Sequence, residues 1–126
     1  MQSLLVAIVD DDEALCSSVV DLMRAVGYRA EPFTSGEALL ASSSLQFFDC
    51  IIADIHMPGM SGLDLVRTLR ERGATTPAIL ITAQPDRHLD NESISAGAHS
   101  LLRKPFQTQT LLDRVERSLA DEHPRR

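Results

Sequence analysis

The sequence predicts an α/β domain: a doubly wound, five-stranded parallel sheet with helices on both faces. Two observations predict it. Short apolar runs alternate with stretches of helical periodicity from one end of the chain to the other, and strands alternating with helices imply a parallel sheet covered on both sides. The chain also has 126 residues, 44% of them hydrophobic, enough for one core and too few for two.

Leu4 to Val9 is the first apolar run, and it ends on Asp10, Asp11 and Asp12. Leu15, Val19, Leu22, Met23 and Val26 then recur at spacings of three and four, which predicts a helix with Asp12 as its cap and Gly27 as its stop. Tyr28 to Phe33 is a weak second strand. A short helix is expected from about Gly36 to Ala41, with Thr34 or Ser35 as cap and Glu37 placed for a capping box. Cys50 to Ala53 is the third strand, ending on Asp54.

The turn-rich loop Met57-Pro58-Gly59-Met60-Ser61-Gly62 leads to a helical stripe of Leu63, Val66 and Leu69 that stops at Gly73. Ala78 to Ile81 is the fourth strand. The polar stretch from Asp86 to Ala96 is the weakest helical pattern in the chain. A fifth strand near Ser100 to Leu102 precedes Lys104-Pro105-Phe106, and Leu111, Leu112, Val115 and Leu119 mark the last helix. Residues 1–120 are read as the domain and 121–126 as a tail or linker stub.

A net charge of −6 disfavours direct binding to a nucleic-acid backbone, which needs clustered cations. No apolar run approaches the ~20 residues of a membrane span. The amino-terminal apolar run lacks a basic leader and passes straight into acids, unlike a secretory signal. Cys16 and Cys50 are read as reduced core residues of a cytoplasmic protein.

The acids carry the functional argument. Two carboxylates ~4 Å apart at an effective dielectric near 20 repel by about 4 kcal/mol. A strand end tolerates such a cluster through solvent, a raised pKa or a bound cation. In a doubly wound sheet the binding crevice lies beyond the carboxyl ends of the strands. Asp10 and Asp11, Asp54, Thr82 and Lys104 all fall at strand ends, so an oxygen-lined site for a hard divalent metal is the economical expectation. Lys104 is the one lysine among twelve cationic side chains.

Val9-Asp10-Asp11-Asp12-Glu13, Asp54 with Met57 to Gly62, Thr82-Ala83 and Lys104-Pro105-Phe106 stand in one order along the chain. In these pieces the sequence, from about Leu4 to Leu119, resembles the receiver domains of bacterial two-component response regulators. The resemblance implies the flavodoxin-like strand order 2-1-3-4-5 with five helices. It implies that Asp54 accepts a phosphoryl group and that Thr82 and Lys104 donate to its oxygens. It further implies Mg²⁺, with Mn²⁺ as a substitute, held directly by Asp11, Asp54 and the backbone carbonyl of His56, and by Asp10 through water. Asp12 stays a helix cap.

By the same likeness the partners are a sensor histidine kinase or phosphotransfer protein, and an output domain or target protein. Homodimers would form through the fourth helix, fifth strand and fifth helix. The chain would catalyse only its own phosphotransfer and dephosphorylation. His56 and Gln84, two residues past Asp54 and Thr82, would flank the phosphoryl pocket. His88, His99 and His123 read as loop or surface residues. One position departs from the family pattern: Leu101 stands where many members have an aromatic switch residue, which puts coupling through that side chain in doubt. Two rival readings are an interaction module that is never phosphorylated and an aspartyl phosphohydrolase. The hydrolase commonly has a second acid where this chain has His56.

Overall fold

The chain alternates strand and helix as its periodicity predicts. A computed structural model describes residues 4–122. The elements are β1 (Leu5–Val9), α1 (Glu13–Ala25), β2 (Arg29–Phe33), α2 (Gly36–Leu40), a 3₁₀ turn (Leu45–Phe47), β3 (Cys50–Asp54), α3 (Gly62–Glu71), β4 (Ala78–Thr82), α4 (His88–Ala96), β5 (Ser100–Arg103) and α5 (Thr108–Glu122). The five strands are all parallel in the order β2-β1-β3-β4-β5.

Alternation along the strands splits the core in two. Ala7, Val9, Ile51, Ala53 and Leu80 face Leu39 of α2, Leu65 and Leu69 of α3 and Leu89 of α4. Val6, Ile8, Cys50, Ile52, Ile79 and Ile81 face Val19, Val20 and Met23 of α1 and Leu111 and Val115 of α5. Full burial of an aliphatic side chain such as Ile52 or Leu80 contributes roughly 1.5–3 kcal/mol. Because both faces are covered, the central strands are apolar without interruption. Pro32 is tolerated because β2 is an edge strand that pairs only with β1.

The ends of the elements hold most of the differences from the sequence reading. Asp12 caps α1 as predicted, its Oδ1 accepting the Leu15 N–H at 3.1 Å, and Gly27 follows with φ +103°. Ser35 rather than Thr34 caps α2. That choice places Ala38, not Glu37, at the third helical position, so the predicted capping box does not form there. Instead the Glu37 carboxylate lies against Gly59.

The capping box in the structure is at α3, where Ser61 and Asp64 exchange side-chain and backbone hydrogen bonds. The polar stretch before Gly97 does form a helix, α4, which Gly97 ends with φ +100°. The helix α5 runs through Glu122, past the predicted tail boundary at 121, and residues 123–126 lie outside the described residues. Cys16 and Cys50 are buried free thiols, and burial pushes Cys50 up to about 12.

Candidate functional site

Register brings the first two acids together. Val9 of β1 lies opposite Ala53 of β3, so the next residues, Asp10 and Asp54, emerge side by side at the carboxyl edge of the sheet. Both are nearly buried, at 6% and 9% exposure. Ile8, Leu15, Val19, Ile52, Ile81 and Phe106 line an apolar hollow beneath them. Burial pushes the Asp10 carboxyl above the usual carboxylate range, and the nearby Asp54 and Asp11 add to the rise. The Asp12 N–H, which donates to Asp10 Oδ1 at 2.9 Å, and Lys104 oppose it. Asp11 itself is exposed at the rim.

Asp54 is held from two directions. The His56 N–H donates to Oδ1 at 2.9 Å, and Lys104 Nζ donates to Oδ2 at 3.1 Å. The lysine reaches the site because β5 ends at Arg103 and the Lys104 N–H donates to the Thr82 carbonyl at 2.8 Å. The Lys104-Pro105 peptide is cis. A compact ammonium presents three donors as a point charge, which suits a carboxylate that is shared with other ligands.

Thr82 ends β4 and is fully buried. Its Oγ1 accepts the Gln84 N–H at 3.0 Å and lies 3.0 Å from His56 Nε2. Residue 56 therefore touches the acid through its backbone and the hydroxyl through its ring. His56, read from sequence as a loop histidine near the pocket, is in the structure a link between Asp54 and Thr82. Leu101, on the neighbouring β5, is half-buried against the α3–α4 side of the core.

Two features at the site, the close approach of Gly62 and the grip of Arg103, were not drawn from the sequence. Gly62 lies so close to the strand end that a Cβ there would stand 2.5 Å from the Asp54 carbonyl oxygen. Arg103, directly before Lys104 and opposite Thr82 in register, grips Asp90 of α4 with both guanidinium nitrogens at 3.1 and 2.9 Å. It also donates to the Asp86 carbonyl at 2.8 Å. Away from the site, at the amino end of β5, His99 is not a plain surface residue: its ring lies 2.8 Å from Ser100 Oγ and 2.7 Å from Asp121 Oδ2. The glycine in the turn run was the available signal for Gly62. For Arg103 it was the alternation along β5, which turns residues 101 and 103 to the same side of the sheet.

Comparison with known proteins gives the same architecture. The family model for the response regulator receiver domain matches residues 6–116. Response regulator protein TmoT of Ectopseudomonas mendocina is 36% identical over 118 residues, which are 94% of this chain and 54% of that protein. Transcriptional regulatory protein FixJ of Azorhizobium caulinodans is also 36% identical over 118 residues, 94% of this chain and 56% of that protein. The solved structure of chemotaxis protein CheY4 of Vibrio cholerae superposes with a TM-score of 0.86 at 31% identity, covering 94% of this chain and 100% of that one. The chain spans about half the length of the curated relatives it matches. A match over most of the chain, on a sheet with this strand order, makes it a member of the response regulator receiver domain family of two-component signalling.

Proposed function

We propose that this domain is a phosphorylation-dependent switch whose acceptor is Asp54. One observation carries the reading: a nearly buried carboxylate at the sheet edge, beside a second acid, is held between an ammonium and a backbone N–H. An Asp54 oxygen attacks the phosphorus of a phosphohistidine on a sensor kinase or phosphotransfer protein. The new P–O bond forms as the P–N bond breaks, and the imidazole leaves with the electron pair. Such transfer depends mainly on alignment and on neutralising charge. Lys104 turns from the free carboxylate to a phosphoryl oxygen, and the Thr82 hydroxyl supplies a second donor. Water later attacks the same phosphorus, the P–O bond to the Asp54 carboxyl oxygen breaks, and inorganic phosphate leaves with Asp54 restored.

The donor set suits Mg²⁺. Among the described residues no three acidic, histidine or cysteine side chains are arranged to wrap an ion. Mg²⁺ needs no such cage, because it keeps several waters and takes one or two carboxylates with phosphate oxygens. Burial is the main cause of the raised Asp10 pKa, repulsion from Asp54 adds to it, and a bound cation would favour the ionised pair. Asp11 and Asp54 would bind it directly, with the His56 carbonyl, and Asp10 through water; Mn²⁺ has the same oxygen preference. When bound, the ion neutralises charge on the incoming phosphoryl group.

The switch acts in the cytoplasm on an output domain or a separate target. It catalyses only its own phosphotransfer and dephosphorylation, and the receiver extends through α5, which ends at Glu122. The exposed Ile94 of α4 lies on the face formed with β5 and α5, which serves as the homodimer surface. Incubation with radiolabelled acetyl phosphate and a magnesium salt tests the acceptor. Acid-labile label should appear on the wild-type domain and vanish in Asp54→Asn; label retained in the variant would identify another acceptor.

A further inference from the structure

We propose that the His56 ring is a latch on the Thr82 hydroxyl, a positioning residue that competes with a phosphoryl group on Asp54 for that hydroxyl. The inference rests on the reading of Asp54 as acceptor and adds a regulator to the same site. A threonine hydroxyl has one proton and two lone pairs. The Gln84 N–H occupies one lone pair, and His56 Nε2 at 3.0 Å takes either the other lone pair or the proton. Thr82 is completely buried, so its hydroxyl is shielded from bulk solvent. In both tautomers the histidine fixes the rotamer of the hydroxyl. Thr82 must give up that bond before it can turn to a new anion on Asp54.

The latch is anchored where it acts. The same residue's N–H is bonded to Asp54 Oδ1, so a change at the acid shifts the backbone that carries the ring. The His56 side chain is otherwise exposed, which makes the bond to Thr82 removable without opening the core. His56 therefore biases the unmodified domain toward its resting arrangement.

Calorimetric titration with beryllofluoride, a phosphoryl mimic, in the presence of magnesium tests this on the full chain. Loss of one hydrogen bond that competes with binding predicts that His56→Ala binds the mimic roughly two- to ten-fold tighter than wild type. His56→Gln, which restores a polar atom at similar reach, should return the affinity toward wild type. In a Thr82→Ala background His56→Ala should change nothing, and a purely structural effect of residue 56 would survive there. Amide spectra of the unliganded variants establish that each is folded. Equal or weaker binding by His56→Ala, or an undiminished effect without Thr82, overturns the latch alone. A wild-type domain that fails to bind the mimic overturns the acceptor assignment of Asp54 and the latch with it.

Discussion

Lys104 Nζ lies 3.1 Å from Asp54 Oδ2, although fifty residues separate them along the chain. The lysine side chain is 28% exposed and the aspartate 11%, so the pair sits where water only partly screens it. Replacing the lysine leaves a nearly buried carboxylate without its cation and removes a donor to the developing phosphoryl charge. Loss of one preorganised donor of this kind commonly costs ~10²–10³ in rate. Lys104→Met should slow initial labelling by acetyl phosphate by about that factor, and Lys104→Arg should restore little of it. Labelling of Lys104→Met at the wild-type rate would remove the lysine from the mechanism.

Gly62 couples the α3 start to the acceptor strand. Its N–H donates to the Ile55 carbonyl at 3.0 Å, and an added Cβ would meet Asp54 backbone atoms at 2.5 and 3.0 Å. Backbone cannot rotate aside as a side chain can. Gly62→Ala should therefore cost about 1–3 kcal/mol in urea unfolding and displace Asp54. Stability equal to wild type would show that the loop absorbs the methyl group elsewhere.

Asp10 predicts how stability depends on pH. Burial raises its pKa in the folded domain, so the native state holds that proton more tightly than the unfolded chain does. The resulting stability is fully present below the ordinary value of 3.8 and is lost as pH rises through the folded pKa. At neutral pH the ionised group is then a net cost. Asp10→Asn should melt higher than wild type at pH 7 and show no advantage below pH 3.8. Magnesium should stabilise the wild type more than the variant. A variant that melts lower at pH 7 would contradict the burial argument.

Arg103 ties the end of β5 to α4. The arginine holds the Asp90 carboxyl below the usual range, and both side chains are well exposed. Exposed ion pairs contribute little to global stability and weaken with salt. Arg103→Ala should leave the melting temperature nearly unchanged while amides in the first turn of α4 exchange faster. Added salt should reproduce part of that effect in the wild type. Unaltered exchange in α4 would show that backbone bonds alone position the helix.

Local patterns made much of the fold legible. Leucine, valine and isoleucine spacing marked the strands and the longer helices, because period two and period 3.6 are properties of neighbouring residues. Even the polar α4 fell within its expected stretch. The capping of α2 did not follow, since Thr34 and Ser35 offer the same chemistry and differ only in which one the backbone turns inward. The 3₁₀ turn at Leu45–Phe47 carried no periodic signal. The strand ends were visible as chemistry: acids after two apolar runs, a hydroxyl after the third and a lone lysine after the last.

The sequence by itself determined the α/β class, the strands and the identities of the groups at their carboxyl ends, because each depends on a few adjacent residues. Strand order came only through family likeness and was then seen in the sheet. Tertiary structure decided which of those groups touch. The neighbouring positions of Asp10 and Asp54 follow from the register of β1 against β3. The contacts from Lys104 to Asp54, His56 to Thr82 and Arg103 to Asp90 depend on side-chain rotamers across 50, 26 and 13 residues. Such contacts are set by the packing of the whole domain, which no local pattern encodes.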